Sequence, residues 1–274
     1  MIRSILEQTL ADWELILVDD GSSDATIAAI EEFQDERIRI LVDGEWRGLP
    51  TRLNEAVDAA RAPFIARMDG DDIAYPERLE RQMSYLTAHP EVDLVGASGM
   101  VFDAAGNGVG ARRAPERHEQ ICRGVHGFYM IHPTFFGRTA WFRNNRYDPR
   151  MKRAQDQELL FRTHRHSRFA NVPEILLGYR EEAFSLGKSF RGRRDFVRAL
   201  ARKDKGPGRL IRSTEAVTVQ LSKFAVEAVA RTTGTSSHLL RHRAAPTSEA
   251  EVANWKRVWD RITSTPVPHA TPGT

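Results

Sequence analysis

Apolar and polar positions alternate in short blocks along the first two thirds of the chain. Leu15 to Val18 is a four-residue apolar run, and after a polar turn comes the amphipathic stretch Ala25 to Phe33, with Asp24 as its expected N-cap. Ile38 to Val42 repeats the strand pattern and Leu49 to Ala60 the helical one. A further apolar strand opens at Phe64, and a charged helix over Glu77 to Thr87 sets Leu79, Met83 and Leu86 on one face. Val92 to Ala97 has the continuous apolar character of a buried strand, after which Gly96, Gly99, Gly106, Gly108 and Gly110 punctuate a hairpin. His132-Pro133-Thr134 leads into another strand, and Gln157 to His164 is an amphipathic helix. Strands alternating with helices predict an α/β fold.

Beyond Tyr179 the pattern changes. From Lys188 to Arg212 basic residues greatly outnumber acidic ones and surround Phe190, Phe196, Val197, Leu200 and Leu210. Such a section suits either a solvated helical face or peripheral contact with an anionic membrane surface. Gly206-Pro207-Gly208 marks a break, Thr214 to Ala230 reads as a helix, and Glu249 to Ile262 as a last one carrying Trp255 and Trp259. This divides the chain into residues 1–182, a basic helical extension over 183–264, and a disordered tail over 265–274.

Composition changes this picture little. The 274 residues, 41% hydrophobic and 28% charged, suit a globular protein with one substantial core. A single cysteine, Cys122, excludes an internal disulfide and points to a reducing, cytoplasmic setting. No run approaches the ~20 apolar residues of a membrane span. The pI of 9.2 permits phosphate contacts, but no nucleic-acid motif accompanies it, so no nucleic-acid partner is expected.

Candidate chemistry lies where strands end in acids. The Phe64 strand runs into Asp69-Gly70-Asp71-Asp72, and the Leu15 strand into Asp19-Asp20-Gly21-Ser22. Three packed carboxylates repel unless a cation is present, and hard divalent cations take carboxylates plus substrate phosphates, so Mn2+ or Mg2+ on a diphosphate is the fitting occupant. Gly70 would let the backbone approach that ligand. The alternative is an acidic turn capping the helix near Pro76. Asp156, at the start of its helix, is either an N-cap or a lone base. His126 and His132, six residues apart, fit packing better than a metal site, and Trp141, Phe142 and Tyr147 fit a core better than a sugar platform.

Taken together, LILVDDGSSD, GLPTRLNEAV, ARMDGDDIAYPERLERQ, HPEVDLVGAS, HPTFFGRTA and AQDQELLFR resemble, in order and spacing, a family-2 glycosyltransferase of the GT-A fold, from about Ile2 to about Tyr179. That resemblance implies a Rossmann-like, mostly parallel nucleotide-sugar sheet and metal-dependent transfer of a sugar, with inversion, from a nucleoside-diphosphate donor to a hydroxyl acceptor. It assigns base and ribose contacts to Asp19, Asp20 and Ser22, a ribose contact to Asp69, the metal to Asp71 with Asp69, and the general base to Asp156. Asn54 stands at the family's asparagine, although Leu53 replaces a frequent arginine and Ala56 a frequent glycine. It implies a glycan or lipid-linked acceptor in cell-envelope polysaccharide assembly, and an acceptor-side role for His132. The family's first strand is not visible before Ile2, so we expect an upstream-extended form to be more stable and to bind nucleotide more tightly. A nucleotidyltransferase acting on a sugar phosphate, or a non-catalytic relative, remains the alternative reading.

Overall fold

A computed structural model describes residues 1–180, 185–204, 206–233 and 244–264. The expected tail over 265–274, and the boundary at residue 182, lie outside the described residues. The expected strands and helices form: β1 (Leu15–Val18), α2 (Thr26–Glu31), β2 (Ile38–Leu41), α3 (Leu49–Ala59), β3 (Phe64–Ala66) and α4 (Arg78–Ala88), preceded by α1 (Ile2–Leu6). The N-cap of α2 is Ala25, and Asp24 instead accepts a hydrogen bond from the Thr26 amide at 3.0 Å.

The fold is α/β, but the sheet is mixed where a mostly parallel one was expected. β1 and β2 pair in parallel as a two-stranded sheet of their own. The larger sheet runs β3-β7-β5-β8-β4, where β4 is Ile73–Ala74, β5 Leu94–Phe102, β7 Phe136–Arg138 and β8 Phe169–Arg180, and β6 (Gly108–Arg112) pairs with β5. Only β5 and β8 are parallel in it. Among the described residues β1 and β3 each keep one unpaired edge, and no ladder joins the two sheets.

β5 continues past Ala97 to Phe102, so Gly96 and Gly99 lie inside the strand instead of in the hairpin turn. A Cβ at Gly96 would come within 2.2 Å of the Asn171 side chain on β8, so glycine there lets the two longest strands close. β8 bears Pro173 within it, tolerated because its register against β5 shifts there, between Val172 and Ile175.

Trp141, Phe142 and Tyr147 are buried with Phe128, Phe135, Leu159, Leu160 and Phe169, so they belong to the core. They sit on or beside α6 (Thr139–Asn144) and against α7 (Gln155–Thr163). A short α5 (His118–Ile121) completes this side.

The C-terminal extension divides in two. α8 (Leu186–Lys203) and α9 (Arg209–Thr232) form a hairpin packed on α7. The last helix, α10 (Glu249–Ser264), instead returns to the sheet, where Trp255, Val258 and Ile262 pack with Ile73, Tyr75, Met100 and Phe102. The Trp255 indole donates to the Gly106 carbonyl at 2.8 Å, and a Cβ on Gly178 would strike its ring. Trp255→Phe removes that hydrogen bond and part of the packing, and should lower stability by about 1–3 kcal/mol in urea unfolding.

Candidate active site

β1 and β3 each deliver an acidic turn at their C-terminal ends. In the first, Asp19 accepts the amides of Gly21 and Ser22, both at 3.0 Å, which with the Ser22 hydroxyl holds its carboxyl below the usual range. Gly21 has φ +78°, and a Cβ there would come within 3.2 Å of the backbone of Glu45 and Trp46, so a side chain would be strained and crowded. Asp20 points inward to the loop after β2, accepting from the amides of Arg47 (2.7 Å) and Gly48 (3.0 Å) and from Arg52 Nε (3.2 Å). Arg52 is buried and also binds Asp43, Glu55 and the Glu45 carbonyl. The first turn is thus tied to α3 by an arginine that sequence reasoning passed over.

Asn54, expected at the nucleotide, is committed elsewhere in this structure. Its amide donates to the Tyr147 carbonyl (2.9 Å) and accepts from the Tyr147 amide (3.0 Å), pinning α3 to the chain before Asp148.

In the second turn the residue sequence reasoning missed is Arg67. Its guanidinium is buried and grips the Asp69 carboxylate with both Nη atoms. The mutual repulsion of the acids is therefore relieved in part by the protein's own cation. Asp71 is exposed, and its carboxylate makes no hydrogen bond or ion pair within the described residues. Asp72 is buried; it accepts from the Arg180 amide at 3.0 Å through Oδ1, while Oδ2 has no partner. Burial pushes its carboxyl up to about 7, with Asp69 and Asp71 adding to the rise. Below them Arg78, 1% exposed, donates to the Arg67 and Pro133 carbonyls, and burial brings its own pKa down to about 10. The N-cap of α4 is Glu77, so none of these acids caps that helix. Beside Gly70 the space is open, with no atom within 4 Å of where a Cβ would stand.

Because Asp72 binds its proton more tightly folded than unfolded, the folded state carries the extra proton between the ordinary value of 3.8 and about 7. Stability from this group is therefore highest at low pH and declines as pH rises through that window. In Asp72→Asn, urea unfolding across the same pH range should show a flatter slope.

Asp156 lies in the first turn of α7, behind an N-cap that is Ala154 and not Asp156 itself. Ala154 has φ 54° and ψ 30°, the only non-glycine residue with positive φ among those described. Such a conformation costs on the order of 1 kcal/mol and fixes how Gln155 and Asp156 leave the loop. Burial raises the Asp156 carboxyl above its usual value, against hydrogen bonds from Gln157 that act the other way. Gln157 in turn clamps the main chain of Phe128 at 2.9 and 3.1 Å. The charge on Arg67 is felt at Asp156, Tyr147 and His132 alike, so the lone carboxylate lies within electrostatic reach of the second acidic turn.

His132 is held neutral, well below its usual value, by burial, and its Nε2 lies 2.9 Å from the Tyr147 hydroxyl. His126 is exposed beside Glu215, so the two histidines share no site.

A divalent cation fits part of this arrangement. The donors at the second turn are all carboxylate oxygens, and Asp71 stands free to bind. Among the described residues no three His, Cys, Asp or Glu side chains converge, so phosphate oxygens and water would complete the coordination.

The mixed α/β sheet with its C-terminal helical region is a GT-A fold, with acidic turns at the ends of β1 and β3. Residues 1–167 match the family described as Glycosyl transferase family 2, and the chain belongs to that family and is a glycosyltransferase. It is similar to EpsE of Bacillus subtilis (strain 168), whose own glycosyltransferase assignment is provisional, at 33% identity over 66% of this chain and 67% of EpsE. It is 42% identical, over 31% of this chain and 34% of the relative, to the UDP-Glc:alpha-D-GlcNAc-diphosphoundecaprenol beta-1,3-glucosyltransferase WfgD of Escherichia coli. Its fold is similar to that of the mannosyltransferase PcManGT from Pyrobaculum calidifontis, solved with GDP-Man and Mn2+, with a TM-score of 0.57, 16% identity, and coverage of 96% of this chain and 79% of that one. The family match sets aside a nucleotidyltransferase. No helix among the described residues is long and apolar enough to cross a membrane.

Proposed function

We propose that this chain transfers a sugar, with inversion, from a nucleoside-diphosphate donor to a hydroxyl of a lipid-linked glycan in polysaccharide assembly. The observation that carries the reading is Asp156, a carboxylate made more basic by burial and sharing the field of Arg67 with the second acidic turn. In a single displacement the acceptor oxygen forms its bond to the anomeric carbon as the bond to the diphosphate breaks, and the acceptor proton passes to Asp156. Inversion requires the base on the face opposite the leaving group, as in inverting glycosidases. A raised pKa improves proton abstraction near neutral pH. Asp71 and Asp69 would hold Mn2+ or Mg2+, which when bound neutralises charge on the leaving diphosphate. Asp19, Asp20 and Ser22 shape the turn that receives the nucleoside, and Gly70 leaves room beside the phosphates.

The activities of these similar proteins favour UDP-glucose and GDP-mannose as first donors and a diphospho-polyprenol-linked sugar as first acceptor. The test is release of nucleoside diphosphate from each donor, with and without Mn2+ and acceptor. Acceptor-dependent release from one donor supports the reading. A folded chain that binds no nucleotide and turns over no donor overturns it.

A further inference from the structure

We propose that the outward face of the α8–α9 hairpin is a docking surface for an anionic lipid bilayer. Sequence alone placed the apolar stripe of an interfacial helix within the basic stretch itself. The structure divides the labour differently. In α8, Phe196, Ala199 and Leu200 are buried, and Phe196 and Leu200 cluster with Ala216 of α9 and Val125, so that stripe serves the hairpin's own core. The helices run antiparallel, joined by Ser189 to Glu227 at 2.5 Å and Arg193 to Gln220 at 2.9 Å. What α8 exposes is mainly charge: Arg191, Arg194, Arg198 and Arg202 lie at the surface, beside a partly exposed Phe190 that packs against Phe224 of α9.

The outward apolar face comes from α9. Leu210 is 82% and Ile211 75% exposed, and Val217, Leu221, Val226 and Val229 are also exposed. The opposite side of α9 holds its protein contacts, with Gln220 donating to the Val125 carbonyl and Lys223 to the His126 carbonyl. A helix this apolar on its outer face needs a cover.

Charge identifies the cover. α8 carries seven lysines and arginines against the single Asp195, whereas the whole chain is only +3, so the rest of the molecule is net acidic and the positive charge is concentrated here. A second copy meeting this face across a two-fold axis would set arginines against arginines. A nucleic acid would meet the arginines but gain nothing from Leu210, Ile211 and Leu221. Anionic headgroups over an acyl boundary satisfy both features at once.

The test is co-sedimentation of the full chain, without nucleotide or metal, with vesicles of phosphatidylcholine alone or containing phosphatidylglycerol. Because no donor is present, failure here is distinct from failure of the proposed transfer. We expect sedimentation only with phosphatidylglycerol, weakened as salt rises from about 0.1 to about 0.5 M. Arg194→Glu with Arg198→Glu should reduce partitioning by about tenfold or more. Leu210→Ser with Ile211→Ser should reduce it while leaving the salt dependence in place. All four positions are exposed, and Leu221→Ser provides the same apolar test should either pair fail to give native circular dichroism. Absence of sedimentation by folded protein, equal binding to both vesicle types, or a dimer in light scattering that the same substitutions dissolve would each overturn the proposal.

Discussion

Asp156→Asn should lower kcat for sugar transfer by about 10²- to 10⁴-fold while leaving nucleotide affinity unchanged. The amide can keep the contact with Gln157 but cannot accept the acceptor's proton. The wild-type pH profile supplies a second signature. Only the ionised carboxylate is a base, and burial raises the pKa, so activity should fall away on acidification at a higher pH than an exposed aspartate would dictate. The variant should lose that limb. Stability moves the other way: the native state binds the proton more tightly than the unfolded chain, so ionised Asp156 weakens the fold as pH rises through its raised pKa. Asp156→Asn should therefore be at least as stable as wild type at neutral pH. A variant retaining more than about a tenth of wild-type activity would move the base elsewhere.

The second large effect belongs to Asp71. Asp71→Asn should abolish stimulation by Mn2+ and weaken metal-dependent nucleoside diphosphate binding by about tenfold or more, since one carboxylate among so few protein ligands is lost. Its exposed side chain makes no hydrogen bond within the described residues, so thermal stability should hold. Asp69→Asn provides the contrast. It leaves the Arg67 guanidinium buried without its carboxylate, and should cost about 1–3 kcal/mol of stability, discounted for the partial exposure of Asp69. Titration calorimetry and urea unfolding of both variants separate the two roles. Equal metal response in Asp71→Asn and wild type would remove Asp71 as a ligand.

The elements readable in advance were those whose period is local: β1, β2, α3 and α4 fall within a residue or two of their patterns. β8 was hidden by Pro173, which argues against a central strand unless a register shift accommodates it. The full length of β5 was hidden by glycines that look like punctuation, of which Gly96 in fact admits Asn171. The acids of both turns and Asp156 stand out because carboxylates after apolar strands are conspicuous. Arg52, Arg67 and Arg78 do not, because arginine is normally a surface residue and nothing in its neighbours' identity announces burial. Asn54 could be located by motif, but its bond to Tyr147, 93 residues away, exists only in three dimensions.

Among the described residues the β1–β2 pair is held to the rest of the molecule by side chains. The β1–β2 pair carries the first acidic turn, and it is anchored by α3, by Glu14 accepting the Arg61 and Ala62 amides at 2.6 and 3.2 Å, and by Arg39 donating to the Ala59 carbonyl at 3.0 Å. The position of the first turn relative to the second is therefore set by side-chain bonds and by the packing of α3 rather than by a shared row of main-chain bonds, so Glu14→Ala should loosen the β1–β2 pair without touching either acidic turn.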